Sequence, residues 1–485
     1  MFEPQGITLY SYQREGIERA AHKSGIYLYW DCGTGKTIAG AVSALSAKTI
    51  LGDHHLLNYP IVVVTRATVK YQWKREIERL APDASVFVLN GFSPEEETSS
   101  HYDFFIMNWD ILAERQEEFI KQHPRFLLIM DELHYAKGWK RHEKVYDPDL
   151  DRTVKQVAEN RLGAIFKLAR QAVWRVGLSA TPMDFIRDLW AQFDLLTPDL
   201  LGNNWTYIHR YCNACPGEYG GMDTTGSSRL PELKRRLKPY IHRVTKDQAK
   251  KELPKIRREL VKLDRTQQCK AVGFTQELRQ NKSSTTSMWE TRLAMATARK
   301  RTWTVAEAVA LALEGQKVVV FTGRRKENRK LGEAIAKKLK KHSDIPTWCM
   351  NGEDSHKARG NAAAAYFNHT GGCVFIGTTQ AFGESIDGFQ CSDVALITML
   401  PWTPRLVQQL EGRFPRMGGD ASKTIRIVYV IAEGTIDMGI ADTILSRLEV
   451  VANMFEGDDV KRLVSMFSGE DSKEKIIRDL LAEYL

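Results

Sequence analysis

Short runs of apolar residues punctuate the chain, and each is followed by a stretch with helical spacing. The first group is IVVVT (61–65), FFIM (104–107), LLIMD (127–131) and RVGLSA (175–180). After a long interval come VVVFT (318–322), CVFIGT (373–378), VALITM (394–399) and IRIVYVI (425–431). None of them alternates with polar residues. A strand with one wet face alternates, whereas a parallel strand covered on both faces reads as an unbroken apolar run with a helix as crossover. The pattern predicts an α/β protein with two parallel sheets in tandem, each flanked by helices. Residues 1–197 form the first domain and 300–450 the second. Residues 451–485 read as a helical tail. Between the two sheets, residues 198–299 are polar, basic and helix-like, with PGEYGG and TTGSS as loop signals, and predict a helical insertion or connecting segment. A length of 485 residues agrees with more than one domain, at about 150 residues each.

Composition narrows the class without naming a function. No apolar run approaches the roughly 18 residues that a membrane span needs. The opening MFEPQGITLY has no basic-then-apolar signal pattern, so a cytoplasmic protein, of bacterial or viral origin, is expected. Seven scattered cysteines, an odd number, read as reduced thiols rather than a disulfide framework. Cys212 and Cys215 make one CxxC, and a zinc site needs about four ligands, so no structural metal is expected there. The formal charge is +9, yet residues 233–270 alone carry 14 Lys or Arg against 4 Asp or Glu. That stripe suits a polyanion such as nucleic acid, although a solvated helical face is the commoner meaning of a charge run.

Ligands of α/β sheets bind beyond the carboxyl ends of the strands, and the polar residues after the apolar runs are of unusual kinds. The stretch YLYWDCGTGKTIAG (27–40) carries Gly33, Gly35, Lys36 and Thr37 between a strand-like run and a helix-like one. Small residues there let backbone N–H groups wrap a phosphate at a helix N-terminus. Lys36 would reach the terminal phosphates and Thr37 would ligate Mg²⁺. Trp30 stands where the eight-residue phosphate-loop pattern has glycine, a position outside the cradle. In LLIMDELH, Asp131 would hold Mg²⁺ and Glu132 would orient and deprotonate the attacking water. An acidic helix cap is the plain alternative, but both halves occur in the expected order at strand ends. Finally, QQLEGRFPRMGG spaces Arg413 and Arg416 three apart, so both project from one side of a helix or turn toward a γ-phosphate. These lie in the second sheet, so ATP at a seam would draw the two domains together.

Taken together, the chain resembles the superfamily 2 helicases, and among them the SNF2-like translocases. LYSYQREGIERA is similar to the adenine-reading opening, with Gln13 as its glutamine. WDCGTGKT resembles motif I, VVVTRATVKYQW motif Ia ending in Trp73, FFIMNWDIL motif Ib, DELH motif II and GLSATPM motif III. DLWAQFDLLTPDLLGN, followed by RYC, resembles the SNF2 stretch after motif III and gives Cys212 an ordinary explanation. LKPYIHRVTKDQAKKELP is similar to the segment leading out of the family's first protrusion. KVVVFTGRRKE, GTTQAFGESIDG and PWTPRLVQQLEGRFPRMG resemble motifs IV, V and VI. There are departures. Ser385 and Asp387 replace the usual glycine and asparagine of motif V, Pro415 and Gly419 are unusual in motif VI, and DELH replaces DEAH. None removes a catalytic group.

The resemblance implies two RecA-like domains and an ATPase that uses Mg²⁺, acting as a monomeric motor on duplex or branched DNA, of the compact annealing or fork-remodelling type. It adds Thr34, Gly383 and Asp387 to the nucleotide-binding set. It also implies phosphate contacts from Arg66, Lys70, Asn108, Arg324 and Thr379, which carry no sequence information. Arg235, Arg236 and Arg243 are candidates through local charge alone. Trp109 and Trp402 sit beside strands, where tryptophan is more often core than a base-stacking platform. Two other readings stay open: a helicase that separates DNA or RNA strands, and an ATP-gated clamp that binds without moving.

Overall fold

The computed structural model describes the chain except residues 1, 5, 51–58, 92–100, 139–141, 148–151, 158–160, 218, 219, 246, 247, 249–253, 269–284, 324, 342–344, 383–387, 402, 415–419, 421 and 456–485. The chain divides into two units, Met1–Ala249 and Lys250–Leu485.

In the first unit the strands are β1 (Ile26–Trp30), β2 (Ile61–Thr65), β3 (Val86–Val88), β4 (Phe104–Asn108), β5 (Leu127–Asp131), a hairpin of β6 (His142–Asp147) and β7 (Arg152–Val157), β8 (Trp174–Ser179), the short pair β9 (Cys215–Pro216) and β10 (Met222–Asp223), and β11 (Ile241–Val244). Seven of them form one sheet in the order β11-β1-β8-β5-β2-β4-β3. Every pairing in it is parallel. All residues of β1, β2, β4 and β5 are buried, as runs without alternation require. Successive side chains still leave opposite faces. Ile26, Leu28, Trp30, Ile61, Val63, Phe104, Ile106, Leu127 and Ile129 share one core cluster. Ile17, Val42, Trp73 and Ile77 join it from the helices Ser11–His22, Lys36–Ile50 and Lys70–Leu80. Truncating such a residue to alanine costs about 2–5 kcal/mol. On β1 the alternate residue Tyr27 is also buried and donates its hydroxyl to Gln192 Oε1 at 2.7 Å.

The second unit holds β12 (Lys255–Leu263), β13 (Lys317–Thr322), β14 (Thr347–Met350), β15 (Cys373–Thr378), β16 (Val394–Ile397) and β17 (Thr424–Ala432). They form a six-stranded sheet, β12-β17-β16-β13-β15-β14, again parallel throughout. Helices Thr285–Leu313, Arg325–Leu339, His356–Asn368, Pro404–Glu411 and Ile436–Phe455 connect and follow these strands. The core joins Val318, Val320, Val374, Ile376, Val394, Leu396, Val428 and Val430 from four neighbouring strands.

The predicted pair of parallel sheets is the observed architecture, and all eight apolar runs are strands. Part of the polar stretch between them belongs to the sheets themselves: β11 is an edge strand of the first and β12 an edge strand of the second. The tail after 455 lies outside the described residues. Among those described, no helix is long and apolar enough to cross a membrane.

Candidate functional site

Because β1, β8 and β5 are neighbours, the turns that follow them converge. The turn after β1 is residues 31–35, and helix Lys36–Ile50 begins directly behind it. Gly33 and Gly35 have φ of 84° and 83°, in the left-handed region that other residues enter only with strain. Gly35 has a second reason to be glycine: a Cβ there would lie 2.4 Å from Gln13 Nε2. The Lys36 ammonium folds over the turn and donates to the carbonyls of Trp30 (2.9 Å) and Asp31 (3.0 Å). Thr34 Oγ1 donates to Asp31 O at 2.7 Å. Gln13 braces the turn from outside. Its amide donates to Thr34 O at 3.1 Å while its oxygen accepts the Tyr10 N–H at 2.9 Å, which also caps helix Ser11–His22.

Trp30 is a core residue. Its indole N–H donates to His242 Nδ1 of β11 at 2.9 Å, its ring meets Tyr12 edge-on, and Gly16 leaves room for it in the facing helix. The tryptophan therefore points away from the turn that follows it.

Asp131 ends β5 beneath neutral donors from other elements. Its Oδ2 accepts from Thr65 Oγ1 (2.7 Å) and Trp73 Nε1 (2.8 Å), and its Oδ1 from the Glu132 N–H (3.0 Å). Trp109 donates to the Asp131 carbonyl at 2.9 Å, which places that tryptophan in the core. Glu132 has φ 51° and ψ 50°, a backbone conformation that is strained for a non-glycine residue and that gathers at functional sites. Its Oε2 lies 3.1 Å from His134 Nδ1 and accepts a longer bond from Ser179 Oγ at 3.4 Å. His134 is buried with Nδ1 2.9 Å from Ser179 Oγ, which in turn accepts the Thr181 N–H at 3.0 Å. The acidic pair after β5 is thus wired to the turn after β8.

Electrostatics separate the two carboxylates. Burial pushes the Asp131 carboxyl up and the adjacent Glu132 charge adds to this, against Thr65, Trp73 and Lys36. Burial also raises Glu132, but His134, Lys36 and Arg66 outweigh it and hold that group below the usual carboxylate range. Two neighbouring acids titrate as a pair, and here the negative charge resides first on Glu132. A cation arriving at Asp131 would favour its charged form.

Residues 6–184 match the family described as the type III restriction enzyme res subunit, and residues 302–418 match the helicase conserved C-terminal domain. The two matches fall on the two units, the first spanning the turn and the acidic pair, the second spanning Arg413. Both units thus match helicase-type families, and the chain is similar to SNF2-like superfamily 2 helicases. It is 24% identical over 98% of its length to the SWI/SNF-related matrix-associated actin-dependent regulator of chromatin subfamily A-like protein 1 of Xenopus tropicalis, and spans 48% of that protein. It is 23% identical over 96% of its length to the DNA annealing helicase and endonuclease ZRANB3 of Bos taurus, spanning 42% of it. An uncharacterized ATP-dependent helicase of Mycoplasma pneumoniae is 24% identical over 95% of the chain, which spans 44% of that relative. The chain thus covers less than half the length of these relatives.

Against the SNF2-like motifs, the remaining residues divide. Arg66 lies 6.0 Å from the Tyr135 ring centre and its charge bears on Glu132, so it belongs with the acidic pair. Asn108 closes β4 beside Thr65, buried. Lys70, expected on a phosphate, is only 5% exposed, and its ammonium donates to Leu89 O (3.0 Å) and Asn90 Oδ1 (2.5 Å). It is a structural residue. Arg243 is likewise internal: it lies over the Tyr29 ring at 3.9 Å and pairs with Asp31 Oδ1 at 2.7 Å. Arg235 and Arg236 are exposed on helix Leu230–Leu237. Cys212 is buried and Cys215 exposed, both as free thiols, and burial pushes Cys212 up to about 12.

In the second unit Thr379 is buried and donates its hydroxyl to Thr322 O at 3.2 Å. Arg413 is 8% exposed on the turn after helix Pro404–Glu411. Arg324, Gly383, Ser385, Asp387, Trp402, Pro415, Arg416 and Gly419 lie outside the described residues. Sequence reasoning missed the His134–Ser179 link. Its only trace was that the two residues lie at the ends of adjacent strands, Ser179 closing β8 and His134 following β5.

Proposed function

We propose that this chain is an ATP-driven motor on DNA, coupling hydrolysis to movement along duplex or branched DNA. The observation that carries this reading is the convergence, at the ends of β1 and β5 on either side of β8, of a left-handed glycine turn, the Lys36 ammonium and two carboxylates of different acidity. The residues fit a magnesium nucleotide. The turn keeps a side chain out at Gly35, and Asp131 offers two oxygens whose charge nearby donors already support. Lys36 would hold the terminal phosphates, with Gly33, Thr34 and Gly35 beneath them, while Thr37 and Asp131 would hold Mg²⁺. Bound Mg²⁺ would neutralise charge on the phosphate oxygens. Glu132, kept anionic, accepts a hydrogen bond from water and orients it. Gln13, which also donates to Thr34 O, would read the adenine base. Arg413 and Arg416 supply fixed positive charge to the transferred phosphoryl group. Gly383 and Asp387 complete the nucleotide set.

DNA as the track is supported by the helicase family matches and by the similarity to the DNA annealing helicase. Arg66, Asn108, Arg324 and Thr379 are the proposed contacts, and the exposed Arg235 and Arg236 are candidates through their charge. Contacts of this kind read phosphate rather than bases, so binding should weaken steeply with salt.

The test is ATP turnover with duplex DNA, forked DNA, single-stranded DNA and RNA at two salt concentrations. Greatest stimulation by duplex or forked DNA, lost at high salt, is expected. Stimulation by RNA or single strands alone would overturn the choice of track. Displacement of a third strand from a triplex then separates a motor from a clamp: hydrolysis without displacement defeats the motor reading.

A further inference from the structure

Helix Pro404–Glu411 ends two residues before Arg413, and its last side chain is anchored with unusual completeness. Glu411 is 2% exposed. Arg258 of β12 grips its carboxylate in a fork, Nε to Oε1 and Nη2 to Oε2, both at 2.8 Å. The Tyr429 hydroxyl of β17 donates to the same Oε1 at 2.7 Å. The parallel register explains the meeting. Arg258 stands opposite Ile427 and Leu260 opposite Tyr429, so Arg258 and Tyr429 leave the same face of the sheet.

Buried ion pairs are weak sources of stability, because desolvating both groups offsets most of their attraction. Their contribution here is geometry. The Glu411 carbonyl accepts the Phe414 N–H at 3.1 Å, and the Arg413 N–H donates to Leu410 O at 3.1 Å. Phe414 is itself fully buried, edge-on to Phe321. Arg413 therefore sits in a tight turn between two residues that cannot shift, one clasped by charge and one packed.

We propose that Arg258, Glu411 and Tyr429 are positioning residues for Arg413, fixing the direction from which its guanidinium is presented. This rests on the reading of Arg413 as a group that acts on the nucleotide phosphates. Misplacement of a reacting group by about an ångström costs on the order of a hundred-fold in rate. The paired change Arg258→Met with Glu411→Leu removes both charges without stranding either. It should leave the melting temperature and nucleotide affinity in place and lower kcat about a hundred-fold. Tyr429→Phe, which keeps the packing, should lower kcat about five-fold, one ordinary hydrogen bond. In an Arg413→Ala background neither change should cost anything more.

Unchanged kcat in the paired variant overturns the inference, as does an equal further loss in the Arg413→Ala background. If the paired variant does not fold, Tyr429→Phe decides: wild-type kcat at wild-type melting temperature overturns it. Failure of the underlying reading looks different, since Arg413→Ala alone would then turn over like wild type.

Discussion

One carboxylate in each unit illustrates two ways of holding charge. In the first, Asp131 is held by neutral donors, the hydroxyl of Thr65 and the indole of Trp73, and Lys36 by two backbone carbonyls. In the second, buried charges are matched with opposite charges. Lys300 and Asp437, 0% and 1% exposed, meet at 2.6 Å, and Arg258 clasps Glu411. A carboxylate surrounded by dipoles keeps its net charge for an incoming cation, whereas one locked to a guanidinium has none left to offer. The first arrangement leaves charge available to a ligand, and the second fixes shape.

The sharpest way to break this contrast is to neutralise one group of each kind. Glu132→Gln should reduce ATP turnover by a factor of ~10³ with nucleotide binding retained, measured by single-turnover hydrolysis beside equilibrium binding; normal hydrolysis would remove Glu132 from its role. Lys300→Met should instead act on folding, lowering stability by about 3–5 kcal/mol by stranding Asp437, as read from urea unfolding. Adding Asp437→Leu should recover most of that loss, and failure to recover would mean that the pair is not simply structural. Trp73→Phe, which deletes one N–H from the Asp131 carboxylate, should cost about 1.5–3 kcal/mol. Its sign with pH is informative. The folded Asp131 titrates above its ordinary value near 3.8, so the native state binds the extra proton, and stability falls as pH rises through that window. Deepening the shift should make the Trp73→Phe penalty larger at pH 8 than at pH 4, and equal penalties would show that the indole contributes only packing.

Much of the fold was legible because burial on both faces writes itself as an uninterrupted apolar run. β12 was not. It lies at a sheet edge with the sequence KIRRELVKL, so its residues are mixed in burial and its charges read as a stripe for a polyanion. Two of the arginines in that stripe, Arg243 and Arg258, turn inward to carboxylates. Residue type pointed to the glycine turn and the acidic pair, which the structure brings to the ends of β1 and β5. It misplaced Lys70, because an ammonium capped by Leu89 and Asn90 looks, in one dimension, like any exposed lysine. The Trp73–Asp131 bond spans 58 positions and the Arg258–Glu411 fork 153. No local pattern encodes partners so far apart.

The bond between Trp30 and His242 has a consequence for acid tolerance. Since the indole is a donor, the imidazole nitrogen facing it must carry a lone pair, and the single ring proton belongs on Nε2, 3.6 Å from Glu15. Burial holds the ring below its usual 6.5, with Glu15 favouring the cation and Arg19 opposing it. Below that value the unfolded chain gains protons that the native ring resists, so this bond's contribution is complete at alkaline pH and fades on acidification. A second proton would set two N–H groups head to head under the residue that leads into the glycine turn, and the tautomer of one ring thereby limits how sour a solution the turn's foundation withstands.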